Sequence, residues 1–172
     1  MHLSIRRASA ADAEALSEIS RETFVETFGH LYAPEDLAWH LDFAYAPDKY
    51  RDALDEQGAA AWLLEDADGA VHGYVFAGPC GLPHAGVQAG DLELKRLYLR
   101  RPIQNGGHGA RLFAEAEQWM RRNGPQSLWI GVWSGNPGAQ RFYARHGYRK
   151  VGEYLYPVWQ ARDLEFILRK PI

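Results

Sequence analysis

One stretch, residues 97–120, constrains most strongly what the chain can fold into and bind: LYLRRPIQNGGHGARLFAEAEQWM. It begins as an apolar run typical of a strand and passes through Gly106, Gly107 and Gly109. Apolar residues then recur at helical spacing, at Leu112, Phe113, Ala116, Trp119 and Met120. The first N–H groups of a helix have no internal partner, the helix dipole adds positive charge there, and glycine lets a ligand approach the backbone closely. The stretch therefore predicts a cradle for a phosphate-bearing ligand.

Two common phosphate ligands do not fit this pattern. The P-loop signature of nucleoside triphosphate sites, with its lysine after the second glycine, is absent. The dinucleotide fingerprint needs a third glycine, but Ala110, Arg111 and Leu112 follow Gly107-His108-Gly109. The turn also lies in the middle of the chain, whereas the fingerprint opens a βαβ unit. A hairpin turn at Asn105-Gly106 is the simpler alternative, and the long amphipathic segment after it speaks against that.

The flanking sequence predicts a mixed α/β sheet in one domain. Alternating or apolar runs predict strands over 3–7, 60–65, 71–77, 92–99, 127–133, 148–156 and 164–168. Capping residues, prolines at first helical positions and amphipathic spacing predict helices over 9–28, from 34, over 48–57, from the glycine turn to 123 and from 137 to 146. Strands and helices therefore alternate along a chain whose length suits a single core.

Composition narrows the classes of protein. No apolar run approaches the roughly 18 residues that cross a bilayer, and the N-terminus lacks the order of a signal peptide. A single cysteine, Cys80, excludes an internal disulfide framework and favours a cytoplasmic location. The net charge of −3 argues against nucleic acid as a partner. The first 60 residues are acidic and the remainder is basic. This asymmetry suits a site where a cationic ligand meets an anionic one, or it reflects solvated helix surfaces.

Two motifs carry a resemblance to a known family. The first is Gln104-x-x-Gly107-x-Gly109 between a strand and a helix, and the second is SLWIGVWSGNPGAQRFYARHGYRKVG at 127–152. The defined positions of the second motif are occupied by Asn136, Ala139, Phe142, Tyr143, Gly147 and Tyr148. In this combination and order the chain resembles the GNAT superfamily of acyl-CoA-dependent N-acyltransferases. The segments TFVETFGHLY and RDLEFILRK look like the PaiA-type polyamine acetyltransferase branch.

The resemblance implies a mixed, mostly antiparallel sheet of about seven strands flanked by helices. It implies acceptor-side helices over 1–58, an acetyl-CoA-binding core over 59–157 and a closing strand over 158–172. The coenzyme-binding residues it implies are Leu97, Tyr98, Leu99, Gln104, Asn105, Gly106, Gly107, His108, Gly109, Ala110, Asn136, Ala139 and Tyr143. It also brings Arg100, Arg101 and Arg111 towards the 3′-phosphate, although exposed arginines are common on such surfaces.

Acyl transfer from a thioester to an amine needs a neutral amine, an N–H donor for the carbonyl oxygen and a proton for the leaving thiolate. Glu93, four residues before Leu97, stands where the family often places its general base, which acts directly or through water. Its alternative role is a strand glutamate that faces solvent or pairs with Lys95 or Arg96. Tyr143 matches the family's general acid, and a phenol can donate to the thiolate. Its alternative role is packing beside Phe142.

The acceptor site is predicted on the N-terminal helices and the 78–90 loop. Phe28, Tyr32 and Trp39 are expected to form an aromatic wall, and Glu26 to attract a cation, although aromatic residues at such spacing are often core. The predicted activity is transfer of an acetyl group to a primary amine of a small molecule, with a polyamine favoured. A protein or peptide N-acetyltransferase and a non-catalytic acyl-CoA sensor are the alternatives. No metal, nucleic acid or membrane is expected, and the chain is expected to be a monomer or a homodimer.

Overall fold

Seven strands form one twisted sheet in the computed structural model, which describes residues 1–172. They are β1 (Ser4–Arg7), β2 (Ala60–Glu65), β3 (Val71–Pro79), β4 (Leu92–Leu99), β5 (Ser127–Trp133), β6 (Arg149–Val158) and β7 (Ala161–Pro171). Their spatial order is β1-β2-β3-β4-β5-β7-β6, and every neighbouring pair is antiparallel except β4 with β5. The predicted seven-stranded, mostly antiparallel sheet is confirmed.

Five α-helices flank the sheet: α1 (Ala13–Phe28), α2 (Pro34–Ala44), α3 (Pro47–Asp55), α4 (His108–Arg122) and α5 (Pro137–Arg145). Local sequence explains where they begin. Ser9 and Asp12 form a capping box before α1. Proline occupies the first position of α2, α3 and α5, where its missing N–H costs nothing. None of the helices is long and apolar enough to cross a membrane.

Both faces of the sheet are buried, because side chains alternate along each strand. On β2, Ala60, Trp62 and Leu64 pack under α4, whereas Ala61 and Leu63 pack under α1 and α3. The α4 side contains Leu112, Phe113, Ala116 and Met120, which the helical spacing predicted as its apolar face. The sheet is therefore the middle layer of three, and a ligand reaches its centre only where two strands separate.

That separation occurs between β4 and β5. Only two residue pairs join these strands, Leu92 with Leu128 and Glu93 with Trp129. Immediately afterwards Lys95 is an unpaired extra residue opposite β3, because Phe76 pairs with Arg96 and Ala77 with Leu94. Such a bulge bends its strand and increases its twist. The C-terminal halves of β4 and β5 therefore diverge and leave backbone groups of β4 without a strand partner.

We call the divergence of β4 and β5 the β4–β5 split. At its paired end, one buried carboxylate holds the two strands together. Asp91 is 2 % exposed and accepts hydrogen bonds from the backbone N–H groups of Gln88, Gln126 and Ser127, and from the indole Nε1 of Trp129, at 2.9–3.1 Å. Burial alone would raise the pKa of Asp91, but these donors lower it below the ordinary value. The carboxylate thus links the entry of β4 to the entry of β5.

Most element bounds agree with the sequence prediction, and the largest difference lies at the C-terminal hairpin. β7 runs from Ala161 to Pro171, well beyond the predicted 164–168. It lies between β5 and β6 and forms hydrogen-bonded ladders with both. Because β7 is paired on both edges, its polar residues remain part of the strand. The alternation of apolar and polar residues in the sequence does not reveal this pairing.

Replacement of Asp91 by asparagine should lower the free energy of unfolding by about 2–4 kcal/mol. One carboxylate oxygen would become an NH2 group that faces N–H donors, and buried donors would lose their acceptor. Urea unfolding measures the change. Asp68→Asn, in the exposed turn between β2 and β3, is the control and should stay within about 0.5 kcal/mol of the parent. Equal stability of both variants would show that the four hydrogen bonds do not hold the split together.

Candidate active site

A cavity of about 390 Å³ opens where β4 and β5 diverge. Strands β4 to β7 form most of it, and α1, α2, α5 and the loop after β3 complete its walls. Its polar lining includes Glu93, Tyr143, Asp163 and Glu165, and aromatic rings cover much of the rest. The site thus joins residues from most of the chain at the one place where the sheet is open.

The glycine turn at the N-terminus of α4 has the geometry of a phosphate cradle. Gly107 is the residue before the helix and has a φ of 81°, which side chains disfavour, and no atom lies within 4 Å of the position of a Cβ there. Asn105 also has a positive φ, of 66°. The side-chain amide of Gln104 donates to the carbonyl of Leu99 at 3.1 Å, which ties the turn to the end of β4. The first N–H groups of α4 are left open to an anion.

The predicted general base lines the cavity and is already partly engaged. Glu93 is 9 % exposed, and its Oε1 accepts the backbone N–H of Gly81 at 3.0 Å and the Lys95 ammonium at 3.3 Å. The pairing with Lys95 that the sequence offered as the alternative role is therefore present. It does not remove the carboxylate from the cavity, so the two roles are compatible.

The predicted general acid also lines the cavity. Tyr143 is 8 % exposed, and its ring packs against Phe113 and Phe142. Burial raises the pKa of Tyr143 above its ordinary value, so the phenol keeps its proton throughout the neutral range. Asn136 lies nearby and caps α5, since its Oδ1 accepts the N–H of Ala139 at 3.1 Å.

The predicted acceptor residues divide into two pairs. Phe28 and Tyr32 line the cavity, whereas Glu26 and Trp39 lie outside it. Glu26 instead accepts the backbone N–H of Arg101 at 2.9 Å, and Trp39 stacks on Phe43. The structure therefore does not bring Glu26 and Trp39 together with Phe28 and Tyr32 in the cavity. Each lies on the same helix as a residue that does reach the cavity, and the helical pattern alone could not separate the faces.

Two of the arginines considered for the 3′-phosphate contact α1, one through a carboxylate and one through a backbone carbonyl. Arg100 pairs with Glu22 at 2.6 Å, and the guanidinium of Arg101 donates to the carbonyl of Glu26. Arg111 lies in the first turn of α4 beside His108, with 3.2 Å between its Nη1 and the His108 Nδ1. Among the three arginines, Arg111 is the one that lies on α4, and no carboxylate pairs with it.

The sequence prediction missed the acidic residues of β7. Asp163 and Glu165 both line the cavity, and the hydroxyl of Tyr32 donates to Asp163. Glu165 has no hydrogen bond and no cationic partner, and burial, with a contribution from Asp163, raises its pKa to about 7. Their i, i+2 spacing does show that they share a face of a strand, but not that this face borders the cavity.

Arg96 and His40 are further polar residues that the sequence prediction did not place in the cavity. The Arg96 guanidinium donates to the hydroxyl of Tyr50 at 2.8 Å and lies over the ring of Tyr45, but no carboxylate pairs with it. His40 is 2 % exposed with both ring nitrogens unpartnered, and burial together with Arg96 lowers its pKa to about 4. His40 is therefore neutral at physiological pH.

Comparison with known proteins identifies the family. The model of the acetyltransferase (GNAT) family matches residues 13–148. The chain belongs to the GNAT acetyltransferase family. An uncharacterized N-acetyltransferase of Lactobacillus delbrueckii subsp. lactis is 34 % identical over 168 residues, which cover 98 % of this chain and 96 % of the relative. The predicted family and the predicted enzyme class are confirmed.

A more distant relative is the spermidine N(1)-acetyltransferase of Thermoplasma acidophilum, 25 % identical over 152 residues, which cover 87 % of this chain and 89 % of the relative. Among solved structures, the PaiA N-acetyltransferase of the same organism, crystallised in complex with coenzyme A, superposes with a TM-score of 0.76. The two chains are 23 % identical and cover each other completely, which shows a shared fold.

The residues of this GNAT acetyltransferase fit its acetyl-CoA donor. The cradle at Gly107 leaves open space beside helix N–H groups, as a pyrophosphate requires, and the unpaired half of β4 leaves backbone groups free for an extended arm. No group of three or more His, Cys, Asp or Glu residues is arranged to hold a metal ion.

Gly107→Val should weaken binding of coenzyme A by this GNAT enzyme at least about tenfold. A β-branched residue at positive φ is strained, and its side chain would fill the space that the phosphate needs. Calorimetric titration with coenzyme A measures the effect. Gly124→Val is the matched control, since Gly124 has a φ of 70°, equally open surroundings and a position past the far end of α4. Equal affinities in the two variants would refute the cradle.

Proposed function

We propose that this enzyme acetylates a primary amine of a small cationic molecule, with polyamines as the favoured class. The observation that carries the proposal is the pair of carboxylates on β7. Asp163 and Glu165 face the cavity without a cationic partner, so a cationic acceptor would supply the missing positive charge. The aromatic lining adds surfaces that attract alkylammonium groups. The name of the spermidine acetyltransferase relative agrees with this class.

The donor would bind on the other side of the β4–β5 split. Gln104 to Ala110 would hold the pyrophosphate, and the backbone of Leu97 and Leu99 would pair with the extended arm as an added strand. Asn136 and Ala139 would border the arm from α5. Acetyl-CoA supplies an acetyl group activated as a thioester, and an N–H of β4 would face its carbonyl oxygen.

Two residues of the cavity would handle protons. Glu93 would take a proton from the amine directly or through water, with its carboxylate oriented by Gly81 and Lys95. Tyr143 would give a proton to the leaving sulfur, because burial keeps its phenol protonated. That both residues line one cavity favours an enzyme over a coenzyme sensor.

A second candidate acceptor is the amino group of a peptide or a protein. It is favoured by Arg96, whose guanidinium lines the cavity and has no carboxylate partner. A guanidinium so placed fits an acceptor that carries a carboxylate beyond its amine. The carboxylates of β7 favour a polycation, and Arg96 favours an acid, so acceptor charge distinguishes the two candidates.

A thiol-release assay over matched amines tests the proposal. Putrescine and spermidine should be acetylated with kcat/KM at least about tenfold above that of butylamine, which has the length of putrescine but lacks its second ammonium. Peptides with a free N-terminus and single amino acids complete the panel. Preference for peptides or amino acids would establish the second candidate, and no thiol release with any amine would refute the acetyltransferase proposal.

Tyr143→Phe should lower kcat about 100-fold and leave coenzyme A affinity within about threefold of the parent. The variant loses the proton for the leaving sulfur but keeps the ring that packs on Phe113. Steady-state kinetics and calorimetry measure the two quantities. Tyr148→Phe is the matched control, since the Tyr148 hydroxyl donates to Glu117 outside the cavity and its loss should spare kcat. Unchanged turnover in Tyr143→Phe would exclude the general acid role.

A further inference from the structure

Glu165 differs from the other carboxylates of the cavity, because no group of the protein donates a hydrogen bond to it, whereas Glu93 and Asp163 each accept at least one. Glu165 lies on β7 opposite Trp133 of β5 and Tyr154 of β6, and it lines the cavity. It is largely buried, yet no N–H, hydroxyl or ammonium group donates to it. Holding a carboxylate in this way destabilises the folded protein, so a role in the site is the natural reason for it.

The ionisable groups around Glu165 come from four elements. Tyr32 precedes α2, Tyr98 lies on β4, Tyr154 and Tyr156 lie on β6, and Asp163 shares its own strand. Glu93, also on β4, acts on the same β6 tyrosines. The four phenols are neutral in the physiological range and Asp163 is engaged by Tyr32. Arg96, on β4, acts on Tyr98 and Tyr156. Asp163 is the only charged group that acts directly on Glu165, and its negative charge favours a cation in the space between the two carboxylates.

Glu93 and Glu165 differ in how free they are to receive a proton. Oε1 of Glu93 already accepts two donors, the Gly81 N–H and the Lys95 ammonium. Both oxygens of Glu165 are free. One cavity thus holds an oriented carboxylate and an unengaged one, on strands that lie on opposite sides of β5.

Acetylation of an alkylammonium requires the nitrogen to lose two protons. An alkylamine has a pKa near 10, so only about one molecule in a thousand is neutral at pH 7. The first proton must leave before the nitrogen can attack, and the second leaves after the new bond to carbon has formed. One carboxylate with two donors already bound is poorly suited to both transfers.

We propose that Glu165 is a second catalytic carboxylate, which binds the reactive ammonium of the acceptor and takes the proton that the nitrogen must lose before it attacks. This role rests on the proposed amine acetyltransferase function. An N–H bond breaks and an O–H bond forms on Glu165, and the freed lone pair forms the bond to the acetyl carbon. The carbon–sulfur bond then breaks with its electron pair on sulfur, which takes the proton of Tyr143.

After the attack the nitrogen carries two protons, of which one leaves through Glu93 or water and the other stays in the amide. Of the two protons lost by nitrogen, one restores the phenol of Tyr143, which gave its own proton to sulfur, and the other reaches solvent. An ammonium and a thioester thus give an amide, a thiol and one proton. Burial holds the pKa of Glu165 at about 7, close to the operating pH, where a general base is most effective.

The test compares pH profiles of kcat/KM for putrescine in the parent enzyme and in Glu165→Gln. The kcat/KM of the parent enzyme should rise through pH 7 and then level off, as Glu165 becomes ionised. The variant should be about 100-fold slower at pH 7.5 and should keep rising about tenfold per pH unit towards the amine's own pKa. Glu153→Gln, which removes an exposed carboxylate of β6, is the control and should keep the parent profile.

A second readout needs no turnover. The folded-state pKa of Glu165 is raised above its ordinary value of 4.5, so the unfolded chain gives up this proton first as pH rises. The stability cost is absent below pH 4.5 and complete above pH 7. The thermal midpoint of Glu165→Gln should therefore exceed that of the parent by several degrees at pH 8 and match it near pH 4. A gap that does not change with pH would overturn the proposal.

The kinetic outcomes separate this proposal from the one it rests on. No thiol release by the parent enzyme with any amine would refute both. An active parent whose pH profile is shared by Glu165→Gln would refute only the role of Glu165. A variant with a raised KM and the parent's profile would show an electrostatic anchor for the cation, and would also overturn the proton transfer proposed for Glu165.

Discussion

The site depends on how little of β4 is paired with β5. Two residue pairs join the strands, and the four hydrogen bonds to Asp91 fasten the end at which they meet. The bulge at Lys95 turns β4 away directly afterwards. A longer ladder would close the sheet and remove both the cavity and the free backbone of β4. A weaker fastening would let the two halves of the sheet separate, since β5, β7 and β6 have no other strand contact with the first four strands.

The glycine turn before α4 was predictable from the sequence, and the lining of the cavity was only partly so. The cradle is built from consecutive backbone groups. The glycines and the helix start that it needs are therefore visible in adjacent residues of the sequence, Gln104 to Gly109. The wall of the cavity is built largely from side chains on α1, α2, β4, β6 and β7. Asp163 and Glu165 reach it because β7 inserts between β5 and β6, a pairing that depends on residues far apart in the chain. Residues 1–58 therefore share the lining of the cavity with the C-terminal hairpin.

The cavity holds opposite charges that do not neutralise each other. Arg96 donates hydrogen bonds to a phenol and a carbonyl and packs on aromatic rings. Glu165 has no hydrogen-bond or ionic partner in the protein. His40 stays neutral beside Arg96, so it adds no charge to the cavity. Buried charges of this kind reduce stability when they lack partners. Their separation is consistent with a site whose electrostatic balance is completed by its substrates, an acceptor cation at β7 and an acid group, where the acceptor has one, at Arg96.

The bulge in β4 also determines which side chains meet which substrate. Without it, strict alternation would place Leu94, Arg96 and Tyr98 on one face of the sheet. The extra residue shifts the alternation by one, so Leu94, Leu97 and Leu99 all pack towards α4, while Arg96 and Tyr98 point to the opposite face. One inserted residue thus keeps the apolar core continuous under α4 and places the polar side chains of β4 on the other face of the sheet. Because the same residue bends the strand away from β5, the opening of the sheet and the polarity of the cavity wall have a single structural origin.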